Sequence, residues 1–128
     1  MGTRVLIVSG DPEFRRAVDV SLRLLKFDTM LASSVTEALE LGNNSKPKVL
    51  VTDLSIHRRR DGLELANELR RGLPELQCVL TGDCDSNGHL ASAATRAWIQ
   101  TVKRPFSMIQ FVGAVDAAVH HISRSPRE

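Results

Sequence analysis

The chain is poor in aromatic residues, with four phenylalanines, one tryptophan and no tyrosine in 128 residues. None of these interleaves with the basic run "HRRR" (57–60), and no helix-turn-helix pattern is recognisable, so DNA contact is not expected. A net charge of only +2 and a pI near 8.8 are too mildly basic to imply a nucleic-acid partner. Cysteine is scarce. Cys78 and Cys84 show no metal-ligand spacing and read as two free thiols rather than a disulfide. Apolar runs such as "VLIV" and "KVLV" fall far short of a membrane span, and the N-terminus carries no signal-peptide pattern. The expectation is a cytoplasmic protein with no membrane segment. Internal repeats and low-complexity segments are also missing.

What is present is ordinary for a globular domain, with 42% hydrophobic and 25% charged residues. The length suits one domain, which buries roughly two thirds of its unfolded surface. Strand-like and helix-like stretches alternate. "RVLIV" (4–8) is a continuous β-rich run, as in a strand covered on both faces. Asp11 is a good N-cap and Pro12 suits the first helical position. Phe14, Ala17, Val18, Ser21, Leu22 and Leu25 then give one mainly apolar face. A short strand is expected over 27–32, and "SVTE" (34–37) is a capping box for a helix through Leu41. "NNSKP" (43–47) reads as a loop, 48–53 as the third strand, 54–62 as a polar loop and 63–72 as an amphipathic helix. The fourth strand is 76–82, followed by a loop (83–88), an Ala-rich helix (89–97) and the fifth strand (98–102). Ser107 to Gln110 forms another capping box, and Phe106 is positioned to staple to Phe111. Met108, Phe111, Val112, Val115, Val119 and Ile122 form the stripe of the last helix. The domain is expected over 1–122, with 123–128 as a disordered tail or the start of a linker.

Five β–α units with right-handed crossovers put helices on both faces of a parallel sheet. The expected fold is α/β and flavodoxin-like, with strand order 2-1-3-4-5 and its site at the carboxyl ends of the strands. That rule gathers Ser9-Gly10-Asp11, Asp53, Thr81-Gly82 and Lys103-Arg104-Pro105. A carboxylate, a hydroxyl and a cation converging there suit a phosphoryl group held on a carboxylate. Asp53 is the candidate nucleophile, Thr81 a donor to a phosphoryl oxygen, Gly82 the residue that leaves room, and Arg104 the neutralising charge.

With "VLIV…DPEFRR", "VLVTDL", "DGLEL", "VLTG" and "RPF" in order, the chain resembles the receiver domain of bacterial two-component response regulators over roughly residues 4–120. The resemblance makes Asp53 the phosphoacceptor and Thr81 the family's hydroxyl. Arg104 stands where the family has lysine, and the Arg104–Pro105 bond is then expected to be cis. It implies a histidine kinase or phosphotransfer protein as phosphoryl donor. It also implies an effector domain or partner protein on the face of helix 4, strand 5 and helix 5.

The departures are as informative. The family ends strand 1 with an acidic pair that binds Mg²⁺ together with the acceptor aspartate; here the pair is Ser9-Gly10. Asp53 and the Ser55 carbonyl remain as metal donors, with the Ser9 hydroxyl as a further candidate, and Asp11 falls one residue too late in register. The family's switch aromatic is Thr101, and the loop after Asp53 is one residue longer, lacks the usual proline and carries "HRRR". In a standard site three carboxylates, one lysine and Mg²⁺ sum to zero. Asp53 and Arg104 alone also sum to zero. Acids and metal are therefore read as lost together, with Arg104 pairing directly with Asp53 through its planar fork. Mg²⁺ at such a site is expected to be weak or absent. Losing it removes several kcal/mol of transition-state stabilisation.

"HRRR" reads first as a solvated loop, and otherwise as a device that steers an acidic partner or lends a guanidinium to the pocket. His89, His120 and His121 read as surface residues. Trp98 reads as core or rim packing, with an exposed anchor on the helix 4–strand 5–helix 5 face as the alternative. Cys78 reads as core. Three functions stay open: a phosphorylatable receiver, a receiver-fold interaction module independent of phosphorylation, and a small flavodoxin-like enzyme or flavin carrier. The last needs a phosphate-cradling loop that "SGDPEF" is too short to make. The two receiver readings, which the resemblance favours, imply a signalling domain and not an enzyme.

Overall fold

The computed structural model describes residues 2–57, 60–83, 89–104 and 107–124. Strands β1 (Arg4–Val8), β2 (Asp28–Ala32), β3 (Val49–Asp53), β4 (Gln77–Asp83) and β5 (Ile99–Arg104) alternate with helices. These are α1 (Pro12–Leu24), α2 (Val35–Ser45), α3 (Asp61–Gly72), α4 (His89–Ala93) and α5 (Met108–Arg124). All neighbouring strands pair in parallel in the order β2-β1-β3-β4-β5. The expected flavodoxin-like arrangement is therefore the one observed.

The three central strands are buried on both faces, which is why they read as continuous apolar runs rather than alternating ones. Leu6, Val8, Leu50, Cys78 and Leu80 point to the side that also holds Leu65, Ala66 and Leu69 of α3. Val5, Ile7, Val49, Val51 and Val79 point to the other side, against Val18 and Leu22 of α1 and Phe111, Val115 and Ala118 of α5. The buried lines of α1 and α5 are narrower than their sequence stripes. Ala17 and Met108 are exposed, and Leu25, just past the end of α1, is half exposed.

The caps follow the sequence. Asp11 Oδ1 accepts from Glu13 N and Phe14 N. Ser107 and Gln110 make the reciprocal pair of a capping box. At α2 the Ser34 hydroxyl accepts from Glu37 N, while Glu37 reaches one residue further back than a standard box, to Ser33 N.

Several boundaries differ. Residues 43–45, expected in a loop, complete α2, which stops only at Lys46 in a left-handed conformation (φ 52°). Tertiary packing favours this extension, because Gly42 lies against Leu69 of α3 and a Cβ there would come within 2.6 Å of it. Helix α3 begins two residues early, at Asp61, and α4 is shorter than 89–97. Strand β5 continues to Arg104, which carries that residue into register opposite Asp83. Helix α5 continues to Arg124, two residues past the expected end of the domain. Cys84, Arg58, Arg59, Pro105 and Phe106, with their expected loop, cis bond and staple, lie outside the described residues, as do residues 125–128 and the side chains of His89 and His121.

Candidate functional site

The parallel register places Asp53 opposite Thr81 at the carboxyl ends of β3 and β4. Leu54 N donates to Thr81 O at 2.6 Å, extending the ladder one step past the aspartate. Ser9 follows β1 and is fully buried, its N–H bonded to Ala32 O. Three side-chain donors therefore meet one carboxylate. Thr81 Oγ1 and Arg104 Nη2 each lie 2.7 Å from Asp53 Oδ1, and Ser9 Oγ lies 2.8 Å from Oδ2. The Asp53 side chain is 12% exposed and that of Arg104 is 34% exposed.

The ion pair anticipated from charge balance is present, with a different geometry. Arg104 meets one oxygen through one nitrogen instead of forking over both, because Ser9 takes the other oxygen. Packing fixes the guanidinium. It lies 5.0 Å over the Phe14 ring of α1, and Phe14 meets Phe111 of α5 edge to face, with centroids 6.5 Å apart. Two helices thus hold the cation that neutralises the sheet's aspartate. Arg15, the next residue on α1, donates from Nη1 to Ser9 O at 2.7 Å and ties down the end of β1.

Ser9 was read as a missing acid with at most a marginal metal role. It is also a structural donor, accepting Asp11 N at 3.1 Å while donating to Asp53. Phe14, Arg15, His57 and Asp61 were not singled out as site residues. The signal for Asp61 was its place in "DGLEL": its carboxylate accepts from Ile56 N at 2.5 Å and from His57 N at 2.9 Å, which folds the β3–α3 loop back on itself. The next residue, Gly62, has no room for a side chain, since a Cβ there would lie 1.7 Å from Asp53 O. His57 crosses to the neighbouring loop, with Nε2 3.1 Å from Ser33 O.

Other expected residues do not converge on the carboxylate. Asp11 is exposed and its Oδ1 caps α1. Ser55 is exposed and its hydroxyl accepts Arg60 N at 3.3 Å. Gly82 leaves space toward Leu54 and Leu90 rather than toward Asp53. Trp98 is half-buried rim packing against the α2–α3–α4 side, with the Arg70 guanidinium 4.5 Å from its ring. His120 is an exposed residue of α5, 3.4 Å from Asp116. Among the described residues no group of three or more His, Cys, Asp or Glu side chains is placed to hold a metal ion, and no helix is long and apolar enough to cross a membrane.

Against known families, residues 5–116 match the model of the response regulator receiver domain. The response regulator MprA of Mycobacterium sp. (strain KMS) is 26% identical over 123 residues, covering 96% of this chain and 53% of MprA. The transcriptional regulatory protein KdpE of Mycobacterium tuberculosis (strain H37Rv) is 27% identical over 117 residues, covering 91% of this chain and 51% of KdpE. The chain thus spans about half the length of these relatives. Among solved structures, a response regulator receiver domain protein from Clostridium thermocellum superposes with a TM-score of 0.84 at 15% identity, covering 94% of this chain and 97% of its own. That likeness bears on the fold.

Proposed function

This chain belongs to the response regulator receiver domain family of two-component signalling, and from that membership we propose that it acts as a phosphorylation-independent receiver, a protein–protein interaction module held in one state. Response regulators interact with histidine kinases and effector domains, and receiver domains are generally signalling modules rather than enzymes. The observation that carries the proposal is the Asp53 carboxylate paired directly with Arg104, with Ser9 and Thr81 donating to its two oxygens. Phosphoryl transfer to a carboxylate draws transition-state stabilisation from a metal ion, and here the charge of Asp53 is balanced by a guanidinium instead.

Receiver domains usually bind Mg²⁺ at an acidic site. The residues present do not fit that ion. Mg²⁺ is a hard octahedral cation bound through one or two carboxylates and oxygen donors. Asp53 is already paired with Arg104, Gly10 brings no side-chain donor, and among the described residues no pair of further His, Cys, Asp or Glu side chains joins it in a metal-holding group. Of the described carboxylates nearby, Asp11 caps α1 and Asp61 holds the N–H groups of Ile56 and His57.

One observation favours the second reading, with Asp53 as phosphoacceptor for a histidine kinase or phosphotransfer protein. Thr81 and Arg104 are a hydroxyl and a cation on the same carboxylate oxygen, the donor chemistry that would hold a phosphoryl group. For either reading, the partner surface we infer is the α4–β5–α5 face. Ile109, in the first turn of α5, is an exposed apolar residue (85% exposed). The deciding experiment is intact mass after incubation with acetyl phosphate and Mg²⁺, with Asp53→Asn and an ordinary receiver as controls. No mass gain while the ordinary receiver reacts supports the module. A phosphate-sized gain that Asp53→Asn abolishes supports the phosphoacceptor.

A further inference from the structure

We propose that Ile56 and His57 crowd the Cβ position of Gly10, the place of the missing second acid, so that residues 10 and 57 are a coupled pair and an acid restored at position 10 alone does not rebuild a metal site. This rests on the metal-free reading of the Asp53 site, and its tests read stability and Mg²⁺ binding, not phosphoryl transfer.

The backbone of Gly10 is not left-handed, so nothing in its own conformation requires glycine. Its surroundings do. A Cβ at Gly10 would lie 3.0 Å from Ile56 O, 3.3 Å from His57 Cε1 and 3.6 Å from His57 Nδ1. The loop that supplies those atoms is pinned at both ends of its contact. Asp61 holds the N–H groups of Ile56 and His57, and the far side of the imidazole reaches Ser33 O at 3.1 Å. A carboxylate at position 10 would thus leave its Cα toward an imidazole and a fixed carbonyl, with neither free to move without breaking a hydrogen bond. Gly10 and His57 are both exposed, so the imidazole flanks position 10 at the surface. The charge-balanced Asp53–Arg104 pair and this contact are two separate departures from metal binding. One balances the aspartate without a metal and the other crowds the neighbouring position.

The test has two arms. Gly10→Ala adds only the Cβ, and should lower Tm by about 2–4 °C in the native sequence and by less in a His57→Ala background, where the Ile56 carbonyl contact remains. Equal losses in both backgrounds would overturn the coupling. In the second arm Ser9→Asp/Gly10→Asp is compared with the same pair plus His57→Ala, each with and without Mg²⁺ as the probe. The triple variant should gain about 3 °C or more in Tm with Mg²⁺ and the double variant should not. A matching response in the double variant, or none in the triple, would overturn the proposal. The acetyl phosphate experiment on the native chain is independent of both arms, so failure of this coupling and failure of the metal-free reading are told apart.

Discussion

Arg104 and Asp53 are unequal partners, because the carboxylate is nearly enclosed while the guanidinium keeps a third of its surface in water. Removing the cation leaves a buried charge with only two neutral hydroxyl donors, whereas removing the carboxylate's charge leaves a cation that water can reach. Arg104→Met should therefore destabilise by about 1–3 kcal/mol, reduced from a fully buried pair by solvent screening, and Asp53→Asn by distinctly less. Urea unfolding of the two variants checks the order. Charge counting in the sequence was enough to anticipate this pair. It was not enough to find Phe14 under the guanidinium or Ser9 on the second oxygen, since these depend on how α1 settles on β1 and not on residue type. Cys78 gives a second prediction at this scale. Full burial in β4 pushes its thiol far above the ordinary cysteine range. The unfolded chain releases that proton above about pH 8.5 and the folded chain keeps it, so its contribution to stability is complete below that pH and declines above it. Urea titrations between about pH 8 and 10 should show the decline, and Cys78→Ala should flatten it.

The elements are held by caps, close backbone approaches and packed faces, and glycines at two positions separate these causes. Gly62 opens α3 against the Asp53 carbonyl, so Gly62→Ala should destabilise by about 3 kcal/mol or more and displace the strand end that carries the site. Gly113 sits in the middle of α5 with nothing within 4 Å of an added Cβ. Gly113→Ala should stabilise by about 0.5–1 kcal/mol through helix propensity alone. Thermal unfolding reads both. The central strands and the caps at Asp11, Ser34 and Ser107 were legible in the sequence, because each rests on local chemistry: an apolar run, or an oxygen over the first turn. The end of α2 and the start of α3 were not. Asn43 and Asn44 read as loop formers, yet Gly42 packs on Leu69 and the helix continues beneath them. Asp61 read as part of a polar loop, yet its carboxylate turns back to Ile56 and His57 and starts the helix.

Across the whole molecule the parallel sheet brings four strand ends together, and what those ends carry decides what the domain does. The family fold is complete, from the strand order to the helices on both faces. The site differs from the family pattern in a connected way. A serine donates to the aspartate from the end of β1, an arginine neutralises it directly, and a histidine from the adjoining loop flanks the neighbouring glycine. The serine and the arginine satisfy the Asp53 carboxylate without a metal, so on the proposed reading the molecule keeps one state with or without a phosphodonor. The most direct measurement is the amide nitrogen–proton NMR spectrum of the chain before and after addition of Mg²⁺ and acetyl phosphate, with Asp53→Asn alongside. The account predicts superimposable spectra for the native chain. Shifts of resonances along β4, α4 and β5 that Asp53→Asn abolishes would contradict it.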